Sequence, residues 1–128
     1  MRKGKFITFE GCEGVGKSTQ VNMLKDYLKK TGQQAMFLRE PGGNTLSEKI
    51  RKIILDPDNS EMTPLCEAML YSAARAQLMG QVIIPALDSG KLIICDRFID
   101  STMAYQGFAR DLGVKTISSL NETVCGDY

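Results

Sequence analysis

Residues 11–18 read Gly-Cys-Glu-Gly-Val-Gly-Lys-Ser, the spacing G-x-x-x-x-G-K-S. Three glycines in six positions break regular structure and permit φ values that side chains resist. Before them stands a short β-rich run, K-F-I-T-F-E over residues 5–10, which predicts a strand. After them, Val21, Leu24 and Leu28 recur at helical spacing and Gly32 follows, which predicts a helix over 16–30. A strand that passes through glycines into a helix aims several backbone N–H groups and a helix N-terminus at one point. That is a cradle for phosphate oxygens. In such a loop Lys17 adds a point charge at the β/γ oxygens, and the Ser18 hydroxyl is a ligand for Mg²⁺. Average composition would place the four fixed residues in only about 0.4% of chains this long, so chance is a poor explanation.

The rest of the chain keeps alternating. Residues 34–39 (Q-A-M-F-L-R) predict a second strand, stopped by Pro41-Gly42-Gly43. A helix is expected over 46–55, with Leu46, Ile50, Ile53 and Ile54 on one face. Thr63 is placed to cap a long helix with Pro64 at its first position. That helix is expected to run towards Leu87, bent at Gly80 or Pro85, and to end by Gly90. Residues 91–96 (K-L-I-I-C-D) predict a third strand, and weaker helices follow over 101–107 and 114–124. Met23, Met69, Met79 and Met103 sit at core spacing in these helices. Strands separated by long helical crossovers cannot pair as hairpins. The expected architecture is therefore α/β, a doubly wound parallel sheet with helices on both faces. Ligands in such sheets bind beyond the carboxyl ends of the strands, where Glu10-Gly11, Arg39-Glu40 and Asp96-Arg97 should share one crevice.

Composition narrows the chemistry. The 128 residues make one domain by length, and 43% hydrophobic residues are enough for a core. There is no histidine. This excludes histidine acid–base catalysis, Ser-His-Asp and Cys-His pairs, and imidazole-dependent zinc sites. Cys12, Cys66, Cys95 and Cys125 contain no C-x-x-C pair and read as buried, reduced thiols of a cytosolic protein. The basic start, Met1-Arg2-Lys3-Gly4-Lys5, reaches glycines too soon for a signal peptide or a span. A cytoplasmic, soluble chain without membrane contact is expected. The net charge is +1, yet residues 1–52 hold eleven Lys/Arg against five Asp/Glu and residues 53–128 hold five against ten. Basic runs are short and not interleaved with aromatics, so a small anion is the expected ligand and nucleic acid is not.

Three large classes share such a loop. The D-x-x-G and N-K-x-D elements of GTPases do not occur. Motor and transport ATPases usually close a hydrophobic strand with Asp-Glu or Asp-Asp, whereas here it closes with Asp96-Arg97. An arginine directly after that carboxylate suggests a second anion beside the nucleotide, as a kinase with a phosphorylated acceptor needs. Five stretches then stand in order: F-E-G-x-E-G-x-G-K-S-T at 9–19, R-E-P-G-G at 39–43, Y-S-A-A-R at 71–75, D-R-F at 96–98 and S-T-x-A-Y-Q-G at 101–107. On these the chain resembles the bacterial thymidylate kinases, from its first strand through to Tyr128.

The resemblance implies a P-loop NTPase-type fold, with residues 1–128 as one nucleoside-monophosphate kinase domain whose C-terminal strands and lid would follow Tyr128. It implies transfer of the ATP γ-phosphoryl group to dTMP with Mg²⁺, giving dTDP and ADP, in a homodimer packed through the helix from Pro64. Gly11, Cys12, Glu13, Gly14, Val15, Gly16, Lys17, Ser18 and Thr19 would hold ATP, and Ser18 with Asp96 the Mg²⁺. Lys17, Asp96 and Arg97 would carry the transfer, Asp96 organising metal and water and Arg97 holding the acceptor phosphate. Arg39 would approach that phosphate, with Glu40 and Pro41 shaping its loop, while Glu13 would meet the deoxyribose 3′-hydroxyl. Tyr71 would stack on thymine and Arg75, one turn on, would contact the base. Ser101 and Thr102 would touch the nucleotide, and Tyr105 and Gln106 would lie beside sugar and base. Gly14 is a departure, since some members carry arginine there and those with glycine supply the charge from the lid. Two readings follow: a thymidylate kinase, or a non-catalytic nucleotide-binding fragment of one. A kinase for another nucleoside monophosphate is the alternative to both.

Overall fold

Leu-Ile-Ile-Cys followed by Asp offers no polar face to water, so the strand it forms has to be covered on both sides. In the computed structural model, which describes residues 3–12, 14–98 and 113–126, that strand is the middle one. β3 (Leu92–Asp96) lies between β1 (Lys5–Phe9) and β2 (Ala35–Arg39), parallel to both. Its Ile93, Ile94 and Cys95 are buried. Along the chain the order is β1, α1 (Lys17–Lys30), β2, α2 (Thr45–Leu55) and α3 (Pro64–Leu78). A π-helical turn (Met79–Ile83), α4 (Ile84–Asp88), β3 and α5 (Val114–Cys125) complete it. β1 has β3 on one side and no second neighbour among the described residues, and its Ile7 is half-exposed.

Local chemistry accounts for the helix starts. Asn44 Oδ1 accepts the Ser47 N–H at 2.8 Å to open α2, and Thr63 Oγ1 accepts the Cys66 N–H at 3.3 Å to open α3. Pro64 occupies the first turn of α3, as its fixed φ favours. The long helix expected to reach Leu87 runs to Asp88, with one π-helical turn inside it. Pro85 has no N–H to bond into the preceding turn, and the chain widens through the π turn before resuming as α4. Leu78, Met79, Ile83 and Ala86 of this stretch pack with Ile93, Cys95, Phe98 and Cys125 as the core. Phe6 of β1 meets Phe98 edge-on, ring centroids 4.9 Å apart.

The structure corrects three expectations from the sequence. α2 leaves Leu46 and Ile53 exposed and turns Ser47 inward, where its hydroxyl donates to the Ala74 carbonyl at 2.8 Å. A small polar side chain with a satisfied bond lets α2 approach α3 closely. Met79 is buried, but Met23 and Met69 are exposed, because helical spacing alone does not say which edge of a narrow apolar stripe faces inward. Met103 and the helix expected over 101–107 lie outside the described residues. The cysteines are free but not all interior: Cys95 and Cys125 are buried, Cys12 and Cys66 exposed. Burial pushes the Cys95 and Cys125 thiols up, with Glu40 reinforcing the effect at Cys95. Iodoacetamide at neutral pH is therefore expected to modify Cys12 and Cys66 in the folded chain, and all four thiols after unfolding. Peptide mass mapping checks this, and modification of Cys95 in the folded chain would contradict its place in the core.

Candidate active site

Strand register brings the three charged strand ends to one level. Phe9 and Arg39 both pair with Asp96. One further bond extends the ladder on each side: the Glu40 N–H donates to the Asp96 carbonyl at 3.1 Å, and the Arg97 N–H to the Phe9 carbonyl at 2.9 Å. The crevice expected at the carboxyl ends of the strands is thus built by backbone pairing.

On one side of it lies the glycine loop. Gly14 and Gly16 have φ of 79° and 87°, a conformation costly for any residue with a Cβ. Gly16 is the N-cap of α1 and offers no side-chain acceptor, so the first-turn N–H groups remain available to an anion. Lys17, at the first position of α1, places Nζ 2.6 Å from Asp96 Oδ1 across the crevice. On the other side, Arg97 holds φ of +67°, rare for a residue with a side chain. Its N–H bond to Phe9 and the Cys95 thiol, which donates to the Arg97 carbonyl at 3.2 Å, keep it there. Strained residues of this kind cluster at functional sites.

Between the two sides lies a cleft of about 790 Å³, ample for a nucleotide-sized ligand. Cys12, Gly14, Gly16, Lys17, Ser18 and Thr19 line its loop wall, and Arg39, Pro41, Arg51, Leu55, Tyr71, Asp96 and Arg97 the rest. Among these described residues, four cations face one carboxylate, a balance suited to several phosphate groups. Arg39 is held lightly, with Nη2 3.4 Å from Glu48 Oε2. Glu48 also accepts the Gly43 N–H at 3.2 Å, and that bond, with Arg39, holds its carboxyl below the usual carboxylate range. Arg51 donates to the Pro41 carbonyl at 3.1 Å, so it braces the loop after β2 from α2.

Residues 9–127 match the family model for thymidylate kinase. The chain belongs to the thymidylate kinase family. It is 50% identical over 122 residues to the thymidylate kinase of Pelobacter propionicus, covering 95% of this chain and 56% of the relative. Its identity to that of Bacillus licheniformis is also 50%, over 123 residues, covering 96% and 58%. The crystal structure of thymidylate kinase from Ehrlichia chaffeensis matches with a TM-score of 0.89 at 38% identity, covering 98% of this chain and 71% of that one. The chain thus spans just over half the length of these curated relatives. The P-loop NTPase-type parallel α/β fold expected from the sequence is the fold observed.

Within this thymidylate kinase fold the sequence-predicted residues separate into three groups. Cys12, Gly14, Gly16, Lys17, Ser18, Thr19, Arg39, Pro41, Tyr71, Asp96 and Arg97 come together around the cleft. Gly11, Val15, Glu40 and Arg75 are not in its lining: Val15 faces water, whereas Glu40 and Arg75 are buried behind it as an ion pair. Burial pushes the Glu40 carboxyl up, against the pull of Arg75 beside it. Glu13, Ser101, Thr102, Tyr105 and Gln106 lie outside the described residues. Sequence reasoning missed Arg51 and Asn121. Arg51 lies one turn after the inward-facing Ser47, but that signal needed the true face of α2. Asn121, buried on α5 among polar neighbours in sequence, gave none.

Proposed function

We propose that this chain carries the nucleotide-binding core of a thymidylate kinase, which transfers the γ-phosphoryl group of ATP to dTMP to give dTDP and ADP. One observation carries the reading: a single cleft with a phosphate-binding loop on one wall and Arg39 and Arg97 on the other. In this reading the ATP phosphates lie on the loop of residues 11–19 with Lys17 at the transferred group. The dTMP phosphate lies between Arg39 and Arg97, Arg51 adds positive charge, and Tyr71 presents its ring to thymine. Arg75, buried one turn after Tyr71 on the same helix, would contact the base beside it.

A dTMP phosphate oxygen attacks the γ-phosphorus, and the bond to the β–γ bridging oxygen breaks with its electron pair leaving on ADP. The protein's part is positioning and charge, with no covalent intermediate. Two anionic phosphates repel, and Lys17, Arg39 and Arg97 offset that repulsion as they bring them into line. Lys17 pairs with Asp96 and exchanges that carboxylate for phosphate oxygens when ATP binds. The donor set suits Mg²⁺, which needs only one or two protein oxygens beside the phosphates: Ser18 and Asp96 line the same cleft and would hold it. When bound, the metal neutralises charge on the β- and γ-oxygens.

The same reading makes the chain one half of a homodimer packed through α3, whose Leu65 and Met69 stand exposed, working in the cytoplasm where its substrates are found. No described helix is long and apolar enough to cross a membrane. A coupled ADP-release assay with dTMP, dUMP, dGMP and no acceptor tests the function. Release that depends on dTMP, with the other acceptors slower, is expected. Preference for dGMP, or release without an acceptor, would overturn the assignment. Binding of both nucleotides without transfer would favour the fragment reading.

A further inference from the structure

We propose that Lys17 and a divalent cation occupy the same Asp96 oxygen in turn, so that Asp96 opens to metal only when a nucleotide draws the lysine away. This rests on the thymidylate kinase reading of the cleft and concerns its state before nucleotide arrives. Lys17 Nζ lies 2.6 Å from Asp96 Oδ1, and the lysine side chain is 11% exposed. Oδ1 is itself buried and accepts no aligned hydrogen bond among the described residues, and the ammonium supplies its countercharge. Asp96 is fixed in place. It ends β3, the middle strand, pairs in register with Phe9 and Arg39, and its carbonyl accepts the Glu40 N–H at 3.1 Å. Lys17 is free to swing, because its charge rides on a flexible stem at the first position of α1.

A divalent cation takes oxygen at short range and keeps several waters, which leaves no room for an ammonium on the same atom. Two cations on one oxygen also repel, the more so in a partly buried site. A free metal ion has to evict Lys17 first. Among the described lining residues Asp96 is the one carboxylate, so the displaced ammonium finds no second acid in the cleft. It is left instead among Arg39, Arg51 and Arg97, and that cost is subtracted from metal affinity. Phosphates on the glycine loop remove the cost. The uncapped first-turn N–H groups of α1 receive them beside Lys17, and the ammonium turns to their oxygens. Oδ1 is then released as the phosphate ligands for a metal arrive. Nucleotide and metal each raise the affinity of the chain for the other, by the same factor.

The test is titration of the nucleotide-free chain with Mn²⁺ alone, bound and free ion being counted by electron-spin resonance. Lys17→Met is expected to raise Mn²⁺ affinity at least about tenfold. Lys17→Met/Asp96→Asn is expected to lose that gain, which places it on Asp96. Arg51→Met controls for charge at large. It removes a cation from the same cleft, but one bonded to the Pro41 carbonyl, and should change Mn²⁺ affinity by less than about twofold. An unchanged affinity in Lys17→Met, an equal rise in Arg51→Met, or a gain that survives Asp96→Asn would overturn the proposal. Should Lys17→Met not fold, Lys17→Gln carries the same comparison. Calorimetry of the unsubstituted chain with Mg·ADP separates the two levels. If Mg·ADP does not bind, the reading of the cleft fails and this proposal with it. If Mg·ADP binds and Mn²⁺ affinity is the same in every variant, this proposal alone fails.

Discussion

Lys17→Met is expected to lower phosphoryl transfer to dTMP by about 10²–10³-fold or more, with little change in melting temperature. The large kinetic effect follows from where the charge sits. Lys17 opens α1 at the mouth of the glycine loop and, among the described residues, is the one cation on the wall assigned to ATP. The transition state spreads negative charge over the transferred group, and loop amides alone cannot offset it. The small structural effect follows from the partner: the Asp96 side chain is 34% exposed at the cleft edge, so its carboxylate stays partly hydrated in the variant. A steady-state assay beside a thermal melt checks both halves. Normal turnover by the variant would remove the loop from the mechanism.

Arg75→Met should do the opposite, with its main effect on stability. It leaves the Glu40 carboxylate buried without its ion-pair partner, which costs about 3–5 kcal/mol in comparable sites. That is a large share of the roughly 5–15 kcal/mol that holds a typical domain together. Replacing both members, Glu40→Met with Arg75→Met, should recover much of the loss, because the uncompensated charge is gone. The single variant should also gain a pH dependence of known sign. Burial raises the Glu40 carboxyl and Arg75 opposes that rise, so removing Arg75 raises it further. An acid whose folded-state pKa is raised binds protons more readily when folded, so stability falls as pH climbs above its ordinary 4.5. Urea denaturation of Arg75→Met at pH 5 and pH 8 should therefore show the greater loss at pH 8. Equal losses would mean that Glu40 is not buried as described.

The parts of this molecule that could be read from the sequence are those governed by local chemistry. Glycines that need positive φ, Thr63 before Pro64, and an apolar run closing on Asp96-Arg97 each specify their own conformation, and all were found where expected. From the helical crossovers followed parallel pairing, and from parallel pairing a shared crevice at the strand ends. What failed was any question of which side faces what. α2 has two apolar edges, and a single bond from Ser47 to α3, invisible in the pattern, decides between them. Arg75 is implied by resemblance to contact the base, but nothing in the pattern announces that its guanidinium also pairs with Glu40, 35 residues away, and with Asn121, 46 residues away. Such long-range polar pairing leaves no periodic trace. Arg51 shows the same limit, since a helix cation turned into a cleft is spelled like one turned to water.

In the proposed function this cleft holds two anions side by side, one on the glycine loop and one between Arg39 and Arg97. The most direct test is to titrate dTMP into the chain by calorimetry in the presence of saturating Mg·ADP. One dTMP bound per chain is expected, with an affinity that ADP does not reduce competitively. Displacement of dTMP by ADP, with apparent affinity falling in proportion to the ADP added, would mean a single anion site in place of two.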